Sequence, residues 1–600
     1  MASTATKPTT THVEDPRLAG IANIDDSYAV NENNEPVTVV GTYGQDPNHK
    51  PNVPFKAYIV LLLCALASFQ NVFYGIAPAA NQYAIAGSLR AMDKRIWIVQ
   101  AAAVPGIATG PIFAIISDLY GRRNLILCIW LLYCVSAIIA MTANNINQVI
   151  AGQALAGVSA GISGIMYAVP SEILPSNQRA HVQTAVNWVA GLASIAALIG
   201  MGAANQNDPV NGWRWVFRTL LILDAVILIG FAAFYFPPPR TASRDKLMDR
   251  IKALDWIGYG LLLAGLVPFL MGFAWAGDSN YGWKSAHSYG PVAVGGAILI
   301  ACVLYEWKGT STGFLDHRLF REGRNFPIAL CLIAVEGSLF YLINNIYTGQ
   351  VNSLWTTAPG SIAANARVLP FFMAVQVVSP FISIYVTKTK DLKWPLFAGF
   401  LMFTACVVGL AMSGLNATMG TVFNGIGGIG FATPLILLMT LVQLSTPPLF
   451  IGVASALVIS IRTLGGVVGL AIADAIFGSL TNSQIPDAIA KTAVSMGLPP
   501  QSIGPLIVSF FSHSDPSTVP GATGPIIGAA FTAAKEVQAH GYKIVWFAFL
   551  PGTVIAAVVC ALFHNPRERM NWVVDAPLDL PKGHVEDHEA SSAHTTEEKR

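Results

Sequence analysis

Two ionisable residues stand where such residues are costly. Glu336 lies inside LIAVEGSLFYLINN and Arg462 inside SIRTLGGVVG, each within an apolar run. In hydrocarbon a charge is tolerated only when paired or hydrated, and such residues mark ion or substrate paths. A carboxyl there loses the hydration that favours its charged form, which suits a group that takes up and releases protons. Glu336 therefore reads as a proton carrier or as a carboxyl held structurally by a neighbouring helix. Arg462 cannot stay unpaired at that depth. Its partner is Glu336 or an anionic group on a substrate. Asp224, in TLLILDAVILIG, is a second carboxyl in an apolar run and joins these proton-coupling candidates.

Uncharged polar groups in apolar runs say more about a ligand. Gln70, Asn71, Gln153, Asn187, Gln376, Asn424 and Gln443 are amides of this kind, with Tyr74, Trp188 and Tyr341 nearby. A cavity lined by amides and aromatics suits a bulky, mostly neutral, amphipathic compound better than an ion or a sugar phosphate. Taken singly, each amide also serves as glue between helices.

A third constellation is the turn in GPIFAIISDLYGRRNLILCIW, residues 110–130, where Asp118, Gly121, Arg122 and Arg123 join two apolar runs. Gly121 permits a sharp turn, and Asp118 offsets the arginines or caps a helix end. Glu172, at the end of a later apolar run, is placed to meet Arg122 or Arg179 and brace the same end of the molecule. Together these residues read as a gating latch.

The elements that position these groups are spanning helices. Of the 600 residues 53% are hydrophobic and only 11% are charged, against about 25% charged in soluble domains. A span needs about twenty apolar residues. Candidates are 56–77, 95–116, 124–143, 148–169, 181–204, 215–236, 255–275, 289–306, 325–345, 362–386, 394–413, 416–441, 451–474 and 543–563. That even count places both tails on one side. Cations cluster in loops of one face, as at Arg122/Arg123, Arg179, Arg240 to Lys252, Lys308 to Arg324 and Lys388 to Lys393. The positive-inside rule makes that face cytoplasmic. Arg90, Lys94 and Arg95 are an exception on the opposite face.

The fold class expected is all-α and polytopic: two six-helix bundles plus two extra central helices. A disordered cytoplasmic N-terminal tail covers 1–54 and the first bundle 55–236. Basic cytoplasmic loops and the two added helices cover 237–324, and the second bundle 325–563. A long outer loop at 480–542 carries apolar stretches expected to lie as short amphipathic helices on the outer surface. A cytoplasmic tail closes the chain at 564–600.

Other function classes find little support. The net charge of +2 with no basic stripe argues against nucleic acid. All seven cysteines fall in apolar runs without metal or disulfide spacing. GIGGIG at 425–430 fits a nucleotide fingerprint but lacks the preceding strand, so close helix packing explains it better. No Walker loop or nucleophile elbow occurs. The expectation is a non-enzyme without a metal or cofactor.

The string running from Gly110 through Ser117, Asp118, Gly121, Arg122 and Arg123 resembles the loop between helices two and three of the major facilitator superfamily. GWRWVF at 212–217, FYFPPPR, LDWIGYGLLLAG, YGWKSAH, LYEW, HRLFR, SIRTLGGVVG, MGLPPQSIGPLI and VPGA narrow this likeness. From about residue 55 to 565 the chain is similar to the fungal trichothecene efflux pump family, within the fourteen-helix drug:proton antiporter branch. Fungal siderophore transporters share many of these strings. The resemblance implies a central cavity lined by helices one, two, four and five and by nine, ten, twelve and thirteen. Three departures stand out. Gln153 occupies the place of an arginine implicated in proton coupling, Gln70 and Asn71 stand where an acidic residue is frequent, and the fifth helix lacks a Gly-Pro pair. The proton route served by those residues in relatives is not carried over to this chain.

The function implied is a proton-driven secondary transporter exporting a hydrophobic toxic compound, such as a mycotoxin or drug, by alternating access. Proton-coupled uptake of a ferric siderophore is the chief alternative, and a non-transporting nutrient sensor is another. The expected partners are the substrate, protons and the lipid bilayer. The chain is expected to work as a monomer in the plasma membrane, with the vacuolar membrane an alternative.

Overall fold

The computed structural model describes residues 29–30, 36–37 and 53–571, less 92–93, 95–96, 209–210, 238–254, 277–281, 311–318, 321–322, 357–361, 447–449 and 513–514. The tails and most of the basic segments after the sixth and eighth helices lie outside the described residues. The one β-pairing described is a two-residue antiparallel bridge, Ala29 to Val37 and Val30 to Pro36.

Among the described residues, fourteen helices are long and apolar enough to cross a membrane. The first bundle comprises α1 (Phe55–Ser88), α2 (Trp97–Tyr120), α3 (Arg122–Met141), α4, α5 (Arg179–Asn207) and α6 (Arg214–Phe234). α4 runs over Ile146–Ala160, breaks at Gly161–Ile162 and resumes at Ser163–Ile173. Two added helices, α7 (Trp256–Ala276) and α8 (Ala286–Leu304), precede the second bundle. The second bundle comprises α9 (Asn325–Leu342), α10 (Leu369–Thr389), α11 (Lys393–Ser413), α12 (Ala417–Ser445), α13 (Ile451–Ser495) and α14 (Gly524–Cys560). α9 continues through wider π-type turns at Ile343–Tyr347 and Val351–Trp355.

The outer helices sort their faces for a bilayer rather than for water, as α6 shows. On α6, Ile222, Val226 and Ile229 are exposed, while Phe217, Leu220, Asp224, Ile227 and Phe231 are buried. An exposed stripe of large aliphatics at helical spacing is stable against lipid and costly against water. α7 and α8 join through small residues: a side chain at Gly272 or Gly295 would collide with the opposing backbone. This pair packs over the line where α2 meets α13, with Leu262, Leu266 and Leu270 against Ile107, Val467 and Ala471. The bundles meet elsewhere as α5 against α10 and α12, and as the second part of α4 against α13.

The structure corrects the expected surface helices at 480–542. At about 1.5 Å per residue the 45-residue α13 is roughly 65 Å long and the 37-residue α14 roughly 55 Å, against about 30 Å of hydrocarbon. Both run on past the bundle as one antiparallel pair. Ile485, Ile489 and Ala493 recur every fourth residue on α13, as do Ile526, Ala530 and Ala534 on α14, and the two stripes share a small core with Leu498, Leu506 and Val519. Among the described residues between them, Ile503–Ser512 forms a separate short α-helix, flanked by single 3-10 turns at Pro500–Ser502 and Pro516–Thr518. The apolar stripes bury each other, so neither needs a lipid surface.

Candidate functional site

Glu336 on α9 and Arg462 on α13 are brought together by glycines. A side chain on Gly337 would run into the Arg462 carbonyl oxygen, and one on Gly465 into the backbone of Ala334. At that closeness Arg462 Nε donates to Glu336 Oε2 at 2.8 Å and to Oε1 at 3.1 Å, and Nη2 donates to Oε1 at 2.9 Å. The Glu336 side chain is 1% exposed and that of Arg462 19%. The guanidinium also lies over the rings of Phe340 at 4.7 Å and Phe431 at 5.8 Å, a further favourable contact for a cation.

This pair faces the first bundle. The Tyr167 hydroxyl of α4 donates to Asn187 Oδ1 of α5 at 3.1 Å. Both residues line a cavity with Glu336, Arg462, Leu435, Met439 and Val458. Its volume is about 10 Å³, room for about one water molecule. A bulky ligand enters only after the bundles separate here.

The end of the molecule carrying the Gly121 turn is sealed. Gly121 has φ of +87°, the conformation that glycine adopts without strain. Arg122 and Glu172 are both buried and form a hydrogen-bonded ion pair between α3 and α4. Arg123 instead donates to the Ala232 carbonyl at 2.9 Å and lies over the Phe236 ring at 4.2 Å. The Asp118 side chain lies outside the described residues. Between bundles, Arg179 Nη1 donates to the Gln443 carbonyl at 2.7 Å and Gln183 Nε2 to Gln443 Oε1 at 3.1 Å. Gln443 Nε2 reaches Ser455 Oγ at 3.0 Å. Beneath them a Cβ on Gly110 would stand 2.6 Å from Ser460 Oγ, and one on Gly164 would overlap the Ala456 backbone.

Removing one partner of a buried ion pair strands the other charge and costs about 3–5 kcal/mol. Arg122→Glu and Glu172→Arg are each expected to lose about that much stability, read by thermal unfolding of the purified protein. The swapped double variant is expected to recover most of it. Singles as stable as the parent would remove the pair from the latch.

The other amides and aromatics do not converge on Glu336. Gln70, Asn71 and Tyr74 meet Tyr133 and Asp224 inside the first bundle. Trp188 and Gln376 bond to each other's carbonyls, Nε1 to oxygen at 3.1 Å and Nε2 to oxygen at 2.6 Å, along the line where α5 meets α10. Trp188 there lines an open, mostly apolar groove of about 320 Å³ with His181, Thr184, Pro380, Ser383 and Ile384. Asn424 Nδ2 donates to the Val368 carbonyl at 3.2 Å within the second bundle. Gln153 is buried in α4, and the Tyr341 ring packs where a side chain on Gly466 would fall. Of the expected cavity lining, Asn187 alone shares the small cavity with the Glu336–Arg462 pair. Tyr167 was not singled out by sequence reasoning, and its signal is a tyrosine set between Gly164 and Pro170 in an apolar run. Among the described residues no group of three His, Cys, Asp or Glu could hold a metal ion.

The family model for the fungal trichothecene efflux pump matches residues 60–564. The trichothecene efflux pump of Fusarium sporotrichioides is 24% identical over 469 residues, covering 74% of this chain and 76% of that protein. An efflux pump of Gibberella fujikuroi is 24% identical over 525 residues, covering 86% and 90%. A crystal structure of a double-tryptophan mutant of XylE superposes with a TM-score of 0.50 at 12% identity, covering 86% of this chain and 98% of that one. The last likeness concerns the fold, which is that of the major facilitator superfamily.

Proposed function

Because the chain belongs to the fungal trichothecene efflux pump family, we propose that this membrane transporter exports a bulky, mostly neutral, hydrophobic compound in exchange for protons. The observation that carries the reading is the buried Glu336–Arg462 pair at the junction of the two bundles. Protonating Glu336 cancels the charge that holds Arg462. The guanidinium must then find other acceptors, such as the Tyr167 or Tyr341 hydroxyls or water, and the hold between α9 and α13 loosens. Losing the proton restores the pair. The described conformation, with the pair intact and the Gly121 end sealed, is one end of such a cycle. Rocking of the bundles opens the other end. The Gly121 end is assigned to the cytoplasm by its basic loops, with both chain termini on that side and the plasma membrane as the site of action.

For one-for-one exchange of a neutral compound, each pH unit supports up to about a tenfold concentration ratio. The test uses the full chain in liposomes with an imposed pH gradient and a panel of labelled compounds, including a trichothecene and a ferric siderophore. Uphill movement of the trichothecene or another hydrophobic toxin against the proton flow, abolished by an uncoupler, is expected. Uphill movement of the siderophore with the protons would favour uptake instead. Flux of no compound in the panel, together with unchanged toxin sensitivity of a deletion strain, would favour a sensor.

A further inference from the structure

A second carboxyl is buried inside the first bundle, away from the Glu336–Arg462 pair and, among the described residues, without a cation beside it. Asp224 on α6 has no solvent exposure, and its carboxyl has no well-formed hydrogen bond, the Gln70 side chain lying beside it. Around it the amide of Gln70 and the hydroxyl of Tyr74 on α1 are likewise buried without hydrogen bonds. The elements packed against α6 are α1 and α3, with α5 at one end. The titratable groups facing Asp224 are Tyr74 from α1 and Tyr133 and Cys134 from α3. The arginines of α6 itself turn elsewhere, Arg214 over Trp213 at 4.5 Å and Arg218 over Trp215 at 4.9 Å.

An ionised carboxylate so placed would have no counter-ion beside it and only neutral donors around it, which a low-dielectric interior tolerates poorly. That setting favours the protonated carboxyl in this conformation, whereas Glu336 has the Arg462 guanidinium beside it. The corresponding helices of the second bundle show what a purely structural arrangement looks like. There both polar atoms of Gln350, on the α9 continuation, are hydrogen-bonded, Nε2 donating to Ser413 of α11 at 3.1 Å and Oε1 accepting from Trp546 of α14 at 3.0 Å. No carboxyl takes part. In the first bundle half-buried Asn71 donates to the Tyr133 hydroxyl at 3.4 Å, and Tyr133 lies within electrostatic reach of Asp224.

We propose that Asp224, surrounded by Gln70, Tyr74 and Tyr133, is a second proton-binding site of this transporter, separate from Glu336. It holds its proton in the described conformation and releases it, as the cycle proceeds, to water reached through Tyr133 and Asn71, leaving a carboxylate that Gln70 and the two tyrosine hydroxyls turn to solvate.

The test is infrared difference spectroscopy on the purified full-length protein in lipid as pH is raised. A neutral-carboxyl C=O band is expected that persists at neutral pH and is lost at higher pH. It should be absent from Asp224→Asn and retained in Glu336→Gln. Asp224→Glu, which keeps the acid, should show the band at a shifted frequency with the same pH behaviour, and it carries the test if Asp224→Asn fails to accumulate. Tyr133→Phe is expected to slow the loss of the band without removing it. A band unaffected by either Asp224 substitution would overturn the proposal. So would an Asp224 band that never titrates while the protein stays folded, which marks a permanently neutral structural acid. Loss of the band on adding sodium at fixed pH would point to a cation site instead. The readout needs no transported compound, so its failure is separable from failure of the exchange reading.

Discussion

Glu336→Gln is expected to leave a transporter that equilibrates its compound but no longer concentrates it against a pH gradient. The amide keeps the shape of the side chain and removes the one acid of the pair, leaving no group there that can take up and release a proton. It also strands Arg462, so a stability loss of about 3–5 kcal/mol accompanies it. Arg462→Gln is expected to cost a similar amount, because Glu336 then sits buried without its cation. The informative protein is the double variant Glu336→Gln, Arg462→Gln. Two amides can bond to each other across the same gap, so most of the stability should return. Coupling should not. Recovery of both stability and uphill transport would mean that the pair is a structural brace, and the proton would have to be carried elsewhere.

Gly164→Leu is expected to keep the Gly121 end from closing. The glycine faces the Ala456 backbone so closely that even a methyl group would overlap it. Overpacking costs about 1–3 kcal/mol, and if that falls on the closed arrangement alone it shifts the closed-to-open ratio roughly 5- to 150-fold. A cysteine placed at Ser455, fully buried here, should become reactive to a water-soluble maleimide in the Gly164→Leu background. Gly200→Leu is the control, since nothing lies within 4 Å of a side chain there. Equal labelling in the two backgrounds would show that the contact between α4 and α13 does not govern closure.

Much of this molecule was legible in the chain. Length, apolar content and the recurrence of twenty-residue runs determine the number of spans, because hydrocarbon leaves a backbone little choice but the helix. The span expected at 124–143 appears as Arg122–Met141 and that at 394–413 as Lys393–Ser413. Isolated charges in apolar runs had to find partners, so Glu336 and Arg462 stood out before any contact was known. The long segment at 480–542 is not decided by its own pattern, because periodicity describes one helix at a time. The stripe at Ile485, Ile489 and Ala493 looks the same whether it meets lipid or the stripe at Ile526, Ala530 and Ala534.

The amide set shows the same limit at the site. Gln376, Asn424 and Asn187 are alike in sequence, each a polar group in an apolar run. One bonds across the line between bundles, one holds two helices of a single bundle together, and one lines the small cavity beside Glu336. The chain by itself determined which segments cross, where charge is buried and which turn needs glycine, because these follow from each residue's own solvation and backbone freedom. Only the tertiary structure decided which helix faces which. It thereby decided that Arg462 meets Glu336 while Asp224 meets no cation, because a buried charge is governed by neighbours far along the chain.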